Sequence, residues 1–286
     1  MSGIEEIAKQ MVSKGKGILA ADESTGTMTK RLSSVNVDST LENRLKFRET
    51  LFSAEGMKNY IGGVILYDET IKQKSSFGKT IPELIKSFGS IPGIKVDTGT
   101  KKLAGSPEEK ITEGLDGLRE RLTDYYKLGA RFTKWRAVYS IAEKYPSELA
   151  IKSNAHALAR YASLVQESKM VPIIEPEILM DGKHDINKCF QVTSIVLKEC
   201  YKELKLHNVN LKGTILKPNM ILPGSKSKDK SSSKEIAQLT LKCLKENVPN
   251  EVPGIAFLSG GQTEIEATQN LNEINKINDT NFLISF

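Results

Sequence analysis

A single lysine interrupts an apolar segment in the second half of the chain, within Gly213-Thr-Ile-Leu-Lys-Pro-Asn219. The run is typical of a buried strand that Lys217 ends and Pro218 stops. Burial disfavours the charged form of a lysine, and the neutral amine can then attack a carbonyl carbon. The alternative is a lysine whose stem lies along the strand while its ammonium reaches water. Lys217 is therefore a candidate nucleophile, subject to what surrounds it.

Other charged residues also end apolar segments. They are Asp22, Asp68, Lys95 with Asp97, Lys134 with Arg136, and Glu175 with Glu177. Because side chains alternate along a strand, Lys134 shares a face with Phe132 and Arg136, and Glu175 shares one with Ile173 and Glu177. If these faces line one lumen, Lys217 has a second lysine and several carboxylates as neighbours. Unpaired buried charges cost several kcal/mol each, so such a network indicates chemistry rather than stability.

An amine with acid–base partners performs a recognisable reaction. The amine forms a Schiff base with a ketone, and the iminium withdraws electrons from the adjacent carbon–carbon bond, which is the logic of aldol chemistry. Leu258-Ser-Gly-Gly261 precedes Gln262 and Thr263, which open a predicted helix. Such a loop can hold phosphate through backbone N–H groups, although Gly-Gly alone is more often a plain turn.

Strand-like and helix-like segments alternate along the chain, about one βα unit apart. The clearest predicted helices cover residues 4–12, 148–168 and 185–206. The predicted strands cover residues 17–23, 62–68, 91–97, 130–138, 170–179, 212–219, 253–259 and 282–286.

This alternation implies a parallel sheet, either an open doubly wound one or a closed barrel. No G-x-G-x-x-G follows the first strand, and the charged residues at many strand ends would converge at the mouth of a barrel. We therefore predict an α/β fold, a closed parallel (β/α)8 TIM barrel forming one catalytic domain over residues 1–286. Because the sequence stops just after the eighth strand, we expect the last helix to be absent and the domain to be truncated there.

Composition fits a cytoplasmic protein. Of 286 residues, 39% are hydrophobic and 27% charged, no run suggests a membrane span, and the N-terminus lacks a secretory apolar region. The net charge of +6 suits phosphorylated substrates or an acidic protein partner. The only basic tract, residues 225–233, lacks aromatic residues for base stacking, so we predict a solvated loop and no nucleic-acid partner.

The cysteines and histidines do not predict a metal centre. Cys189, Cys200 and Cys243 lack C-x-x-C spacing and are expected to be reduced packing residues. A metal-dependent aldolase would need converging histidines. The three histidines, His156, His184 and His207, fall in helical or loop contexts, so we expect a surface or helix-packing role for His156, a loop position near the mouth for His184, and no metal ligands.

Several motifs resemble class I fructose-bisphosphate aldolases, in order and over essentially the whole chain. They are Gly17-Ile-Leu-Ala-Ala-Asp-Glu-Ser-Thr-Gly26, Gly93-Ile-Lys-Val-Asp97, Lys134-Trp-Arg136, Val171-Pro-Ile-Ile-Glu-Pro-Glu-Ile178, Leu216-Lys-Pro-Asn219 and Leu258-Ser-Gly-Gly-Gln262. The resemblance implies reversible cleavage of fructose 1,6-bisphosphate without a metal or other cofactor. It also implies a homotetramer and, in a secondary role, binding of actin or acidic adhesin tails at the basic mouth.

The resemblance also assigns roles to residues. Lys217 would form the Schiff base, Asp22 would handle the proton of the hydroxyl at the cleaved carbon, and Glu175 would be the acid–base group. Glu177 would lie beside Glu175, and Lys134 would be the electrostatic partner of Glu175. The C1 phosphate would bind Ser259, Gly260 and Gly261, and the far phosphate would bind Ser24, Thr27, Lys30, Arg31, Lys95 and Arg136. The sequence departs from the family pattern in two places. Thr98 stands where many relatives have lysine, and the family's Ser-Tyr-Gly-Arg motif, expected after the eighth strand, does not follow Phe286 in this sequence.

Overall fold

Parallel strands follow one another in chain order around a central axis, separated by helices on the outside. The computed structural model describes residues 3–286. The strands are β1 (Gly17–Ala21), β2 (Ile61–Leu66), β3 (Ile91–Lys95), β4 (Thr100–Leu103), β5 (Ser106–Thr112), β6 (Phe132–Tyr139), β7 (Val171–Ile178), β8 (Ile215–Leu216), β9 (Gly254–Ala256) and β10 (Leu283–Ser285). All except β4 and β5 form a single eight-stranded sheet, with each strand parallel to its neighbour.

One helix precedes the first strand, and the others occupy the connections between the barrel strands. They are α1 (Gly3–Met11), α2 (Thr25–Ser33), α3 (Leu41–Phe52), α4 (Met57–Tyr60), α5 (Asp68–Ile71), α6 (Ile81–Ser87), α7 (Leu118–Leu128), α8 (Glu148–Glu167), α9 (Ile186–Leu206), α10 (Ser233–Asn247) and α11 (Glu264–Ile277). The predicted helices at 4–12, 148–168 and 185–206 correspond to α1, α8 and α9. Ser147 and Asp185 cap the amino ends of α8 and α9 by accepting backbone N–H groups, which fixes where these helices begin.

The two ends of the sheet meet. The carbonyl oxygen of Phe286, just after β10, accepts a hydrogen bond from the Ile18 N–H of β1 at 2.7 Å. The sheet is thus a nearly closed barrel, which confirms the predicted TIM-barrel architecture. Strand β10 is the last element of the described range.

Two local features differ from the prediction. The strand predicted at 212–219 is a regular strand only over Ile215–Leu216, because a 3₁₀ turn at Leu211–Gly213 precedes it and Pro218 has no N–H to donate. Strands β4 and β5 form an antiparallel hairpin that the sequence did not reveal. Its residues are mostly polar or charged, and more than half of them are exposed, so they carry little of the apolar pattern by which strands are predicted.

Apolar side chains form two separate cores. The larger one fills the layer between the strands and the outer helices. The smaller one lies in the lumen, where Phe132, Ile173 and Ile215 pack with Met11 and Val12 from α1 and the residue after it. A Cβ on Gly62 would lie 2.1 Å from the Met11 carbonyl oxygen, so α1 is pressed directly against the sheet. Helix α1 therefore closes the amino end of the barrel.

The three cysteines are reduced packing residues, as predicted. Cys189 and Cys200 in α9 and Cys243 in α10 are free and buried. Burial raises the pKa of Cys189 and Cys243 to about 11 and that of Cys200 to about 12, so the thiols are protonated at neutral pH.

One expectation about the surface is also confirmed. The basic tract at 225–233 is largely exposed and lies in the loop that leads into α10. Within residues 3–286, no helix combines the length and hydropathy required to cross a bilayer.

Candidate active site

The carboxyl ends of four barrel strands bring charged side chains together. Strands β6 and β7 pair so that Arg136 lies opposite Glu175, and the Lys217 N–H donates to the Ile174 carbonyl at 2.8 Å, extending the β8 pairing by one residue. Strand alternation then directs Lys134, Glu175 and Lys217 into the same lumen. The predicted convergence of these side chains is confirmed.

Four of these groups form a chain of alternating charge, which we call the lysine–carboxylate cluster (Asp22, Lys134, Glu175 and Lys217). Lys217 Nζ lies 2.6 Å from Glu175 Oε1. The other carboxylate oxygen of Glu175 lies 3.2 Å from Lys134 Nζ, which in turn lies 2.7 Å from Asp22 Oδ2. Every member is at least four-fifths buried, and every cation contacts an anion, so the cluster limits the cost of removing charges from water.

Electrostatics fix the charge of two members of the cluster. Burial alone would raise the pKa of Glu175, but the ammonium groups of Lys134 and Lys217 outweigh it and lower this pKa to about 2. Burial alone would lower the pKa of Lys134, but the carboxylates of Glu175 and Asp22 outweigh it and raise this pKa. At neutral pH Glu175 is therefore a carboxylate and Lys134 an ammonium.

Two further ion pairs flank the cluster. The Nε of Arg136 donates to Glu177 Oε2, and the pKa of Arg136 is raised because this contact outweighs the opposing effect of burial. Lys95 Nζ lies 2.6 Å from Asp97 Oδ1. Asp97 was not predicted as a site residue, yet its other oxygen accepts the backbone N–H of Arg136 at 3.3 Å. Asp97 therefore ties the end of β3 to β6.

A cavity of about 450 Å³ opens beside Lys217. Glu177, Ser259 and Gly260 line it, so the loop after β9 lies next to the candidate nucleophile. Gly261, the next residue, has a φ of +80°, a conformation that favours glycine. The predicted phosphate loop is thus brought to the Lys217 side chain.

The four residues predicted to bind phosphate after β1 are Ser24, Thr27, Lys30 and Arg31, and they belong to α2 or to its N-cap. Ser24 caps the amino end of α2, and its hydroxyl lies 3.1 Å from that of Thr27. Lys30 and Arg31 are exposed on α2 and do not line the cavity beside Lys217. The Arg31 guanidinium instead pairs with Glu23 at 2.5 Å. In this structure, Lys30 and Arg31 are therefore not gathered with the other site residues.

Sequence reasoning missed the residue that holds the loop carrying Asp22. Arg48 on α3 is fully buried and donates from Nη2 to the Glu23 carbonyl at 2.5 Å. Arg44, Arg48 and Phe52 are buried at a spacing of four residues, so they share the inner face of α3. That spacing, with two arginines in line with an aromatic residue, was the signal available in the sequence.

Asn219 has a comparable role beside Lys217. Its buried Oδ1 accepts the Ile178 N–H at 3.0 Å, which joins the segment after β8 to the end of β7. This bond fixes the Leu216-Lys-Pro-Asn219 segment relative to Glu175 and Glu177.

Two of the three histidines lie close together. His156 of α8 and His207 at the end of α9 converge, with ring centroids 5.0 Å apart, because the two helices pack side by side. They lie on the outer surface, whereas the lysine–carboxylate cluster lies in the lumen. His156 is indeed a half-exposed surface residue, as predicted, and burial lowers the pKa of His184, which remains in the loop after β7.

Comparisons with known proteins agree with this geometry. The family model described as fructose-bisphosphate aldolase class-I matches residues 3–286. A probable fructose-bisphosphate aldolase class 1 of Xylella fastidiosa is 50% identical over 283 residues, covering 99% of this chain and 85% of that protein. A cytosolic fructose-bisphosphate aldolase of Arabidopsis thaliana is 56% identical over 263 residues, covering 92% of this chain and 73% of that protein.

A solved structure supports the same assignment. Fructose-bisphosphate aldolase from Plasmodium falciparum, crystallised with TRAP and a small-molecule inhibitor, superimposes with a TM-score of 0.97 at 44% identity. The alignment covers 99% of this chain and 82% of that one. The chain therefore belongs to the class I fructose-bisphosphate aldolase family, whose members are lyases.

Proposed function

We propose that this protein reversibly cleaves fructose 1,6-bisphosphate into dihydroxyacetone phosphate and glyceraldehyde 3-phosphate through a Schiff base on Lys217. The observation that carries the proposal is the continuous contact from Lys217 through Glu175 and Lys134 to Asp22. The reaction uses the iminium as its electron sink, so the mechanism needs no metal ion.

The first stage forms the Schiff base. Glu175 Oε1 lies 2.6 Å from Lys217 Nζ, within reach of direct proton transfer. The Glu175 carboxylate takes a proton from the Lys217 ammonium, and the free amine attacks the substrate ketone to give a carbinolamine. Glu175 then returns its proton to the carbinolamine hydroxyl, which leaves as water and yields the iminium. Lys134 stabilises the carboxylate form of Glu175 before this proton is taken up and after it is returned.

The second stage breaks the carbon–carbon bond. Asp22 accepts the proton of the hydroxyl on the carbon to be released, an aldehyde forms there, and the bonding electrons move to the iminium to give an enamine. Lys134 contacts both carboxylates and so holds the bases of the two stages in one arrangement. Protonation of the enamine and hydrolysis of the resulting iminium release the second product.

The substrate phosphates define the two ends of the site. The loop of Ser259, Gly260 and Gly261 beside Lys217 binds the nearer phosphate through its backbone N–H groups. The far phosphate binds cationic and hydroxyl groups of α2, of its N-cap and of strands β3 and β6. These groups are Ser24, Thr27, Lys30, Arg31, Lys95 and Arg136. Lys30 and Arg31 must swing toward the mouth from their exposed positions on α2 to take part.

Borohydride trapping tests the Schiff base. We expect reduction in the presence of dihydroxyacetone phosphate to leave one stable adduct, which peptide mass spectrometry assigns to Lys217. Lys212→Met removes an exposed lysine five residues away and serves as the control, so it should trap normally, whereas Lys217→Met should not. An adduct on another lysine would refute the proposed nucleophile.

A second role is binding of acidic segments, either actin or an adhesin tail, at the basic mouth. The observation that favours it is the P. falciparum aldolase structure, which was solved in complex with TRAP. We expect an acidic peptide to bind this protein, to be displaced by fructose 1,6-bisphosphate, and to be released as salt shortens the Debye length. Binding that neither salt nor the sugar bisphosphate affects would place the peptide elsewhere.

The oligomeric state and cellular location are inferred from the family and its relatives. We propose a cytoplasmic homotetramer, supported for location by Arabidopsis and spinach relatives described as cytosolic or cytoplasmic. Native mass spectrometry measures the assembly directly, and a monomeric mass at micromolar concentration would refute the tetramer.

A further inference from the structure

Three metal-ligating side chains meet on the outside of the barrel. His156 projects from the middle of α8, Glu203 from the last turn of α9, and His207 directly follows α9. One ligand atom from each lies within 4.8 Å of those from the other two. The aldolase reaction proposed above uses none of these residues.

Hydrogen bonds orient both imidazoles. His207 Nδ1 lies 2.9 Å from the Glu203 carbonyl oxygen, which can only accept, so this nitrogen carries the proton. In the neutral ring, Nε2 of His207 therefore has a free lone pair. An imidazole whose second nitrogen donates to a backbone carbonyl is the usual arrangement of a metal-bound histidine.

The carboxylate already contacts the His156 ring. Glu203 Oε2 lies 3.0 Å from His156 Nδ1, whereas its separation of 3.8 Å from His207 Nδ1 is too long for a hydrogen bond. Because a carboxylate only accepts, the proton between Glu203 and His156 occupies a position that a cation can take. Glu203 is 14% exposed and His207 21%, so two of the three ligands are already held by packing.

We propose that His156, Glu203 and His207 form a Zn²⁺ site that joins α8 to the end of α9, with water as the fourth ligand. Two imidazoles and one carboxylate are a common zinc ligand set, whereas Mg²⁺ and Ca²⁺ prefer oxygen ligands. Tetrahedral zinc places its ligand atoms about 3.4 Å apart. The side chain of His156 is half exposed and can rotate inward to close the gap.

One neighbouring charge limits affinity. Arg160, one turn after His156 on α8, lines a surface cavity with each of the two histidines. Its guanidinium repels a bound cation, so Arg160→Gln should tighten zinc binding. The buried cysteines do not compete, since their thiols are protonated at neutral pH.

The test is calorimetric titration of the whole chain, stripped of metal, with Zn²⁺. We expect one Zn²⁺ per chain, an absorption spectrum typical of tetrahedral coordination when Co²⁺ replaces it, no heat from Mg²⁺, and a higher Tm with zinc bound. Loss of an orienting partner costs about 10–100-fold in metal affinity, so loss of a ligand in His207→Gln or Glu203→Gln should cost at least about 100-fold.

His184→Gln is the matched control, because it removes the one histidine outside the cluster and should bind zinc normally. If Glu203→Gln fails to fold, His156→Gln replaces it, since the half-exposed His156 side chain contributes little to packing. Absence of stoichiometric zinc binding in the unaltered protein, or equal affinity in the ligand variants, would overturn the site.

Discussion

The two ends of the barrel solve opposite problems. At the carboxyl end, Asp22, Lys134, Glu175 and Lys217 keep four ionisable groups in contact within a largely buried lumen. At the amino end, α1 and the lumen residues pack apolar side chains against one another. Burial of apolar side chains at the amino end stabilises the fold. That stabilisation offsets the cost of removing the charged groups at the carboxyl end from water.

We therefore expect that activity and stability can be changed separately in this protein. Strands β6 and β7 pass through both regions, with Phe132 and Ile173 in the apolar core and Lys134 and Glu175 in the cluster. A substitution at one end should therefore leave the other largely intact. The following predictions test that separation, in order of decreasing effect.

Replacement of the nucleophile should have the largest effect. Lys217→Met should lower kcat by about four to six orders of magnitude, as removal of a covalent or triad group does elsewhere. The free energy of unfolding should change by less than roughly 2 kcal/mol, because Glu175 keeps its contact with Lys134 and so does not become an unpaired buried charge. Steady-state kinetics and urea denaturation measure the two quantities. A large fall in the free energy of unfolding together with the fall in kcat would show that stability and activity cannot be changed separately.

A cavity at the amino end should give the reverse result. Met11→Ala removes a fully buried side chain from α1 and should lower the free energy of unfolding by about 2–5 kcal/mol. The kcat per folded molecule should stay within about twofold of its original value at a temperature where the variant is folded. Gln10→Ala, an exposed neighbour, should change stability by less than about 0.5 kcal/mol. A kcat that fell with Met11→Ala would indicate that α1 also positions the cluster.

Acid should weaken the carboxyl end specifically. The folded pKa of Glu175 is about 2 against an ordinary 4.5, so the unfolded chain binds a proton more readily between these values. Glu175 thus contributes stability above pH 4.5 that is lost as the pH falls toward 2, by about 3 kcal/mol in total.

Denaturation at pH 5 and pH 3 measures this loss. Glu175→Gln should flatten the slope in this window, whereas Met11→Ala should lower stability equally at both pH values, because it removes no titratable group. An unchanged slope in Glu175→Gln would mean that other carboxylates dominate the acid response.

A helix cap at the mouth should have the smallest effect. Ser24→Ala removes the hydroxyl that caps α2 and should cost about 1 kcal/mol in stability while raising the KM for fructose 1,6-bisphosphate. Ser232→Ala removes the corresponding cap of α10 and should cost a similar amount without changing the KM. Equal KM values in the two variants would remove Ser24 from the phosphate site.

Much of the site could be read from the chain because strand alternation is a local rule. Once the segments around Lys134 and Glu175 are recognised as strands, their inward faces follow from the two-residue period. The hairpin of β4 and β5 and the role of Arg48 could not be read in this way. The hairpin lacks an apolar pattern, and Arg48 is buried because α3 packs against the loop after β1.

Local patterns in the chain were enough to predict the order of strands and helices and the inward position of the charged residues, and to show the motifs that resemble class I aldolases. Periodicity and local composition carry that information. The choice of partners among these charges could not be predicted and depends on the packed fold, because contacts between Lys217 and Glu175 or between Lys134 and Asp22 join residues far apart in the chain. The packed fold also brings His156 and His207 together with Glu203 across two helices, since the register of α8 against α9 is set by packing.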